Sequence, residues 1–304
     1  MRFFENANYQ LIPNRKRAFL LSAILLFLSV GSLITRGVEL GIDFRGGMEF
    51  VVATNTALNP VAVRGELGNA LGLDPEVKTF ENVNQLLVRT VAEGSTEEVQ
   101  NTILTVMRQA FPDSEPTIVK SDVVGPRFAE DLKRGAMYSV LGALLVIFVY
   151  ILVRFEWRFG LGAVVALFHD VVITLGIFSL LSGIVPFSLQ IDQTIIAAFL
   201  TIVGYSINDT VVVFDRIREF SNLFKTEPFE RLVNRSINDT LSRTIITSLT
   251  TLLVVVVLFI FGGEVLRGFA FAIIVGILIG TYSSIFVASP IVIELRAQAA
   301  RRRR

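Results

Sequence analysis

Four ionisable side chains stand inside or at the edge of long apolar stretches: His169, Asp170, Asp209 and Arg243. A charge in hydrocarbon is costly, so such groups face a bundle interior and commonly mark proton or ion paths. Asp170 lies eleven residues after Phe159, near the middle of its stretch and directly after His169, whose ring can also exchange a proton. Asp209 falls within Gly204-Tyr205-Ser206-Ile207-Asn208-Asp209-Thr210, where Ser206, Asn208 and Thr210 supply hydrogen-bonding groups. Arg243 stands at the entry to a stretch made polar on one side by Thr247, Ser248, Thr250 and Thr251. A nearby guanidinium favours the ionised carboxylate, whereas desolvation favours the protonated one. An arginine that approaches and withdraws would therefore make Asp209 release and take up a proton, with Asp170 and His169 as further proton-path candidates. Such chemistry needs neither cofactor nor metal. Its energy would come from a transmembrane proton gradient, about 2.3 kcal/mol per charge per 100 mV.

Each of these residues also has a plainer reading. Asp209 and Arg243 suit a static interhelical pair, and Arg243 alone suits an interfacial anchor. Asp170 suits a structural hydrogen-bonding role, and His169 a helix contact. The hydroxyls after Arg243 suit helix-packing glue. A second motif, Gly41-Ile42-Asp43-Phe44-Arg45-Gly46-Gly47, is glycine-rich but follows an apolar stretch and leads into a strand. A nucleotide loop would need a Lys and a Ser or Thr at the start of a helix. The motif reads instead as a tight connection, with Asp43 and Arg45 expected to pair locally and Gly46 and Gly47 to turn the chain.

Composition indicates what must hold these groups. The chain has 304 residues, 52% hydrophobic and only 18% charged, with a mean hydropathy of +0.62. Soluble domains carry about 25% charged residues. Apolar runs at 18–35, 137–153, 159–184, 194–214, 244–261 and 269–292 can each cross a bilayer, the shorter ones with help from their flanks. The first run is long for a signal peptide and lacks a small-x-small cleavage site. A net charge of +1 argues against a nucleic-acid binder. With no cysteine and one histidine, disulfides, thiolate zinc and multi-histidine metal sites are excluded. No ATP-binding or catalytic motif stands out, so an enzyme is not expected.

Basic residues set the orientation. Arg2, Arg15, Lys16 and Arg17 precede the first span, and Arg154 and Arg158 follow the second. Arg216, Arg218, Lys225, Arg231 and Arg235 follow the fourth, and residues 301–304 are all arginine. Six spans put these groups on one side, expected to be the cytoplasm, with both termini there. Residues 37–134 carry 15 acidic and 9 basic side chains and read as an aqueous external domain. Strands are expected at 48–53, 77–80, 85–91 and 117–124, with helices at 60–71 and after a capping box of Ser95 and Glu98. That order, β-α-β-β-α-β, is the ferredoxin-like split pattern.

The expected architecture is a polytopic α-helical membrane protein. It has six transmembrane helices and one small α+β ferredoxin-like external domain. Residues 1–36 hold the N-terminus and first span, 37–134 the external domain, and 135–292 the other five spans. An amphipathic segment at 219–243 is expected to lie at the cytoplasmic interface against lipid, and 293–304 form a basic tail.

The run from Gly204 through Thr210 and on to Val211-Val212-Val213-Phe214-Asp215-Arg216-Ile217-Arg218-Glu219 closely resembles the fourth-helix signature of the SecF family of bacterial protein-export membrane proteins. The Gly41–Gly47 run resembles that family's entry into its external domain. Val124-Gly125-Pro126, His169-Asp170 and Asn238-Asp239-Thr240-Leu241-Ser242-Arg243-Thr244 match further family segments. The resemblance covers essentially the whole chain. It implies half of a transporter of the resistance-nodulation-division superfamily, in the bacterial inner membrane with its external domain in the periplasm. It implies SecD as six-span partner, the SecYEG channel, unfolded preprotein as cargo, indirect cooperation with SecA, and YajC and YidC as further neighbours. It also implies proton-pathway roles for Asp209 and Arg243 and energy from the proton motive force. A proton-driven exporter of small molecules or lipids, or a purely structural scaffold of the translocase, are the rival readings.

Overall fold

The computed structural model describes residues 7–72, 75–80, 82–91, 94–185 and 187–301. Arg2 and residues 302–304, part of the expected cytoplasmic charge, lie outside the described residues. Among the described residues, six helices are long and apolar enough to cross a membrane. The first, α1 (Arg15–Thr35), follows a short 3-10 turn at Ile12–Asn14. One helical turn, α2 (Ile42–Arg45), then leads into the external domain.

That domain contains β1 (Gly47–Ala53), α3 (Pro60–Leu71), β2 (Glu76–Phe80), β3 (Asn82–Thr90), α4 (Thr96–Ala110) and β4 (Thr117–Val124). The sheet is antiparallel throughout in the order β2-β3-β1-β4, with Phe50 opposite Val88 at its centre. Alternation along the strands turns Phe50, Val52, Leu86 and Val88 towards one face, where Val63 and Leu67 of α3 and Ile103 and Met107 of α4 cover them. Asn59 caps α3 through the Val61 amide, and Ser95 with Glu98 closes the expected capping box on α4. At the entrance, Gly47 has φ 114°, and a side chain there would place its Cβ 2.7 Å from the Thr90 carbonyl oxygen. Only glycine fits that close approach.

The remaining spans are α5 (Pro126–Arg154), α6 (Trp157–Leu181), α7 (Gln193–Leu223), α8 (Phe229–Phe261) and α9 (Gly263–Ser283). α9 continues through a π turn at Ser284–Ala288 into α10 (Ser289–Arg301). α5 starts at Pro126 rather than near residue 135, because proline suits the first helical position and extended Gly125 precedes it. The segment 219–243 does not form a separate helix along the interface. Its start is the end of α7, and its end is the beginning of an unbroken α8. No glycine or proline interrupts residues 229–261. The apolar side chains that suggested a membrane-lying face, Leu232, Val233, Ile237 and Leu241, pack instead into the bundle against Ile12, Phe214 and Ile217.

Small residues let the helices approach closely. Gly176 of α6 lies directly against Ser29 of α1, and the Ser32 and Ser179 hydroxyls meet at 2.8 Å beside it. Gly276 of α9 leaves just enough room for Ile202 of α7. α5 and α8 leave much of their apolar surface uncovered, including Leu145, Val153, Leu253 and Val254.

Candidate functional site

His169 and Asp170 sit on α6 and are almost completely buried, at 3% and 1% exposure. Three other helical elements supply hydroxyls to them. Ser206 of α7 and Ser283 of α9 donate to Asp170 Oδ2 at 2.6 and 2.7 Å. The other oxygen, Oδ1, lies 2.9 Å from His169 Nδ1. His169 Nε2 is 3.1 Å from Ser22 Oγ on α1, which is itself 3.1 Å from the Tyr282 hydroxyl. Tyr282 donates to the Ala18 carbonyl at 2.7 Å. Asp170 therefore knots together α1, α6, α7 and α9. Ser206, whose sequence neighbourhood suggested service to Asp209, binds Asp170.

Asp209 lies on α7, one turn beyond Ser206, and is 4% exposed. Its Oδ2 is buried without a hydrogen-bond partner. Arg243 is close enough to attract it electrostatically, yet no direct ion pair joins the two. The Arg243 side chain is exposed, on a helix flank the chain does not cover. Thr210 and Thr247 donate to carbonyls of their own helices, Ser206 for the first and Arg243 and Thr244 for the second. Such back-bonding keeps both hydroxyls off Asp209. Asn208 points out of the bundle and is exposed.

The connection motif does not pair internally. Asp43 Oδ2 accepts the Gln193 amide at the start of α7, and Arg45 approaches Glu76 of β2 at 3.6 Å. Each side chain is better placed for a distant element than for its neighbour two residues away. Asp192 caps α7 by accepting the Ile195 amide at 2.8 Å. Burial pushes the Asp192 carboxyl above its ordinary range, and repulsion from Asp43 adds to this.

Sequence reading missed the contact between the external domain and the loop joining α6 to α7. Arg89 of β3 is buried, and its guanidinium donates to Glu49, to Gln190 Oε1 at 2.6 Å and to Glu76 at 3.4 Å. Gln190 Nε2 returns a bond to Glu76 at 3.2 Å. Lys78 joins Glu76 to Glu39 at 2.7 and 2.6 Å. Burial alone would raise the Glu39 carboxyl, but the bond and charge of Lys78 hold it below the usual range. Burial would likewise lower the Lys78 ammonium, and its two carboxylate partners hold it up. The backbone seals the joint: Gly41 N donates to Ile191 O at 2.8 Å and Ile191 N to Glu39 O at 2.7 Å. An arginine directly after the apolar run Leu86-Leu87-Val88 in a strand was the one available signal.

Six apolar helices, a ferredoxin-like domain fastened to them and ionisable side chains buried inside the bundle define a polytopic membrane protein. Residues 102–298 match the family described as protein export membrane protein SecD/SecF, C-terminal, and residues 31–57 match the SecD/SecF GG motif. The chain belongs to the SecD/SecF family. A protein translocase subunit SecF from Rhodothermus marinus is 69% identical over 304 residues, covering all of this chain and 98% of the relative. One from Thermodesulfovibrio yellowstonii is 42% identical over 295 residues, 95% of each chain. Among solved structures, SecDF from Thermus thermophilus, a translocon-associated membrane protein, has a TM-score of 0.86 at 36% identity. SecDF in a super-membrane-facing form has a TM-score of 0.71 at 35% identity. The match covers 97% and 98% of this chain but only 40% of each solved chain.

Proposed function

We propose that this chain is an accessory subunit of the Sec protein translocase that couples proton entry to late preprotein translocation. The observation that carries the coupling is Asp209: a buried carboxylate with an unpartnered oxygen, and an arginine within electrostatic reach but not bonded to it. A buried, half-satisfied carboxylate is costly to keep. A proton on Asp209 removes that cost and weakens its hold on Arg243. The exposed flank bearing Arg243 is then free to change its contact with a partner.

SecD is that partner in this reading. Support comes from the family itself and from the 60% of each solved SecDF chain that this one does not cover. SecYEG, SecA, YajC, YidC and the emerging preprotein belong to the same proposal. So do the bacterial inner membrane, cytoplasmic termini and a periplasmic external domain. Proton-driven adjustment of α7 would reach that domain through Asp43 at its first turn and through Gln190 just ahead of it.

Asp209→Asn tests the coupling. Reconstituted with its partners, it should assemble normally and lose the stimulation of export given by an imposed proton gradient. Arg243→Gln should do the same. Undiminished stimulation in both variants would leave only a scaffold role.

A further inference from the structure

We propose that His169 and Asp170 together hold one proton in this conformation, and that its departure forces the hydroxyl chain between α1 and α9 to rearrange. The proton count follows from donors and acceptors alone. The Ala18 carbonyl has no hydrogen to give, so Tyr282 must donate to it across 2.7 Å. Tyr282 directs its only hydrogen at that carbonyl, and we take the longer 3.1 Å contact with Ser22 as a bond that Ser22 donates. Ser22 has then spent its own, so His169 Nε2 must carry a hydrogen and donate to Ser22. At the other ring nitrogen, Nδ1 faces Asp170 Oδ1 at 2.9 Å. A hydrogen must lie between them as well, because two lone pairs do not approach so closely. It sits on Nδ1, giving an imidazolium beside a carboxylate, or on Oδ1, giving a neutral ring beside a carboxylic acid. Both arrangements hold one proton more than a neutral imidazole with a carboxylate.

Loss of that proton leaves one ring hydrogen for two bonds. Moving it to Nδ1 restores the bond to Asp170 but turns Nε2 into an acceptor, and Ser22 must swing its hydrogen from Tyr282 to the ring. The change passes from α6 to α1 and on to Tyr282 at the end of α9. On the Asp170 side, Ser206 and Ser283 keep donating to Oδ2 throughout. Other ionisable groups on the surrounding elements are few. Between Arg17 and Arg36, α1 has none; α7 contributes Tyr205 and Asp209 nearby; α9 and the π turn contribute Tyr282 alone between Arg267 and Glu294. No lysine or arginine among them takes the place of the stored proton. The functional consequence, a second proton-holding station whose partner Ser206 lies one helical turn from Asp209 on α7, rests on the proton-coupled reading above; the proton count does not.

His169 is the chain's only histidine, so its ring nitrogen-15 signals need no residue assignment, only the distinction of Nδ1 from Nε2. The experiment is solid-state NMR of the full chain in lipid bilayers at pH 7, with histidine labelled, alongside infrared difference spectra against Asp170→Asn. The expected result is a hydrogen on Nε2, together with either an imidazolium or a protonated carboxyl band that Asp170→Asn removes. Asp170→Asn should itself keep the neutral ring with its hydrogen on Nε2, since the new amide can donate to Nδ1. Ser22→Ala should release Nε2 and mix the two tautomers. A neutral ring beside an ionised Asp170, whichever ring nitrogen carries its hydrogen, would overturn the proposal. Neither result depends on export, so a failure here is separable from a failure of Asp209→Asn in the translocation assay.

Discussion

Replacing Gln190 with alanine should undock the external domain from the membrane loop without unfolding either. Gln190 is 8% exposed and makes two bonds across the joint, accepting from Arg89 at 2.6 Å and donating to Glu76 at 3.2 Å. Both partners are charged, and such bonds are worth about 1.5–3 kcal/mol each. Arg89 keeps Glu49 and Glu76 after the change, so the lower end applies. The loss is then about 3 kcal/mol, or roughly 150-fold in the opening equilibrium. Hydrogen exchange reads it directly. The Gly41 and Ile191 amides bond across the joint and should exchange faster by up to that factor. Amides within the β1–β3 ladder, where Phe50 lies opposite Val88, should keep their rates. Unchanged exchange at Ile191 would refute the reasoning. Equal acceleration through the sheet would refute it too, since the domain would then be unfolding rather than undocking.

Two further predictions concern α7. Asp192→Asn keeps a good N-cap while removing a charge that burial and Asp43 disfavour. The folded-state pKa of Asp192 is raised, so its stability contribution is full below the ordinary carboxyl value of 3.8 and is lost as pH rises through the folded pKa. The variant should therefore melt higher than the parent near pH 7, and the gap should close at low pH; a gap independent of pH would contradict this. Gly276→Val would drive a side chain into Ile202 and push α7 from α9, at a cost of about 1–3 kcal/mol. A lowered melting temperature in lipid nanodiscs checks it, and an unchanged one would show that the seam has slack.

The six spans were legible because length and apolarity alone decide whether a helix can cross hydrocarbon. The external fold was legible because alternation, caps and turn residues act locally, as the Ser95–Glu98 box shows. The hydroxyl network was not. Ser22, Ser206, Tyr282 and Ser283 are ordinary small or aromatic residues in apolar helices, and Ser22 meets His169 across 147 positions of sequence. Nothing in residue type says which helices become neighbours. The placement of 219–243 is not legible in sequence for a related reason, since an apolar stripe looks the same whether lipid or protein covers it. Asp209 and Arg243 were recognised from their cost in an apolar setting, but the gap between them could be seen only in three dimensions.

The π turn at Ser284–Ala288 gives the last helix a spare residue immediately after Ser283. Each residue of an α-helix turns the chain by about 100°. Were the surplus to slip one position towards the N-terminus, past Ser283, that serine would swing by about that angle away from Asp170, with the backbone bonds re-forming around it. Only the residues the bulge has passed would turn; the helix on either side would keep its place. Such a slip is a ratchet of single-residue pitch, able to exchange the side chain that faces the buried carboxylate without drawing either end of the helix across the membrane.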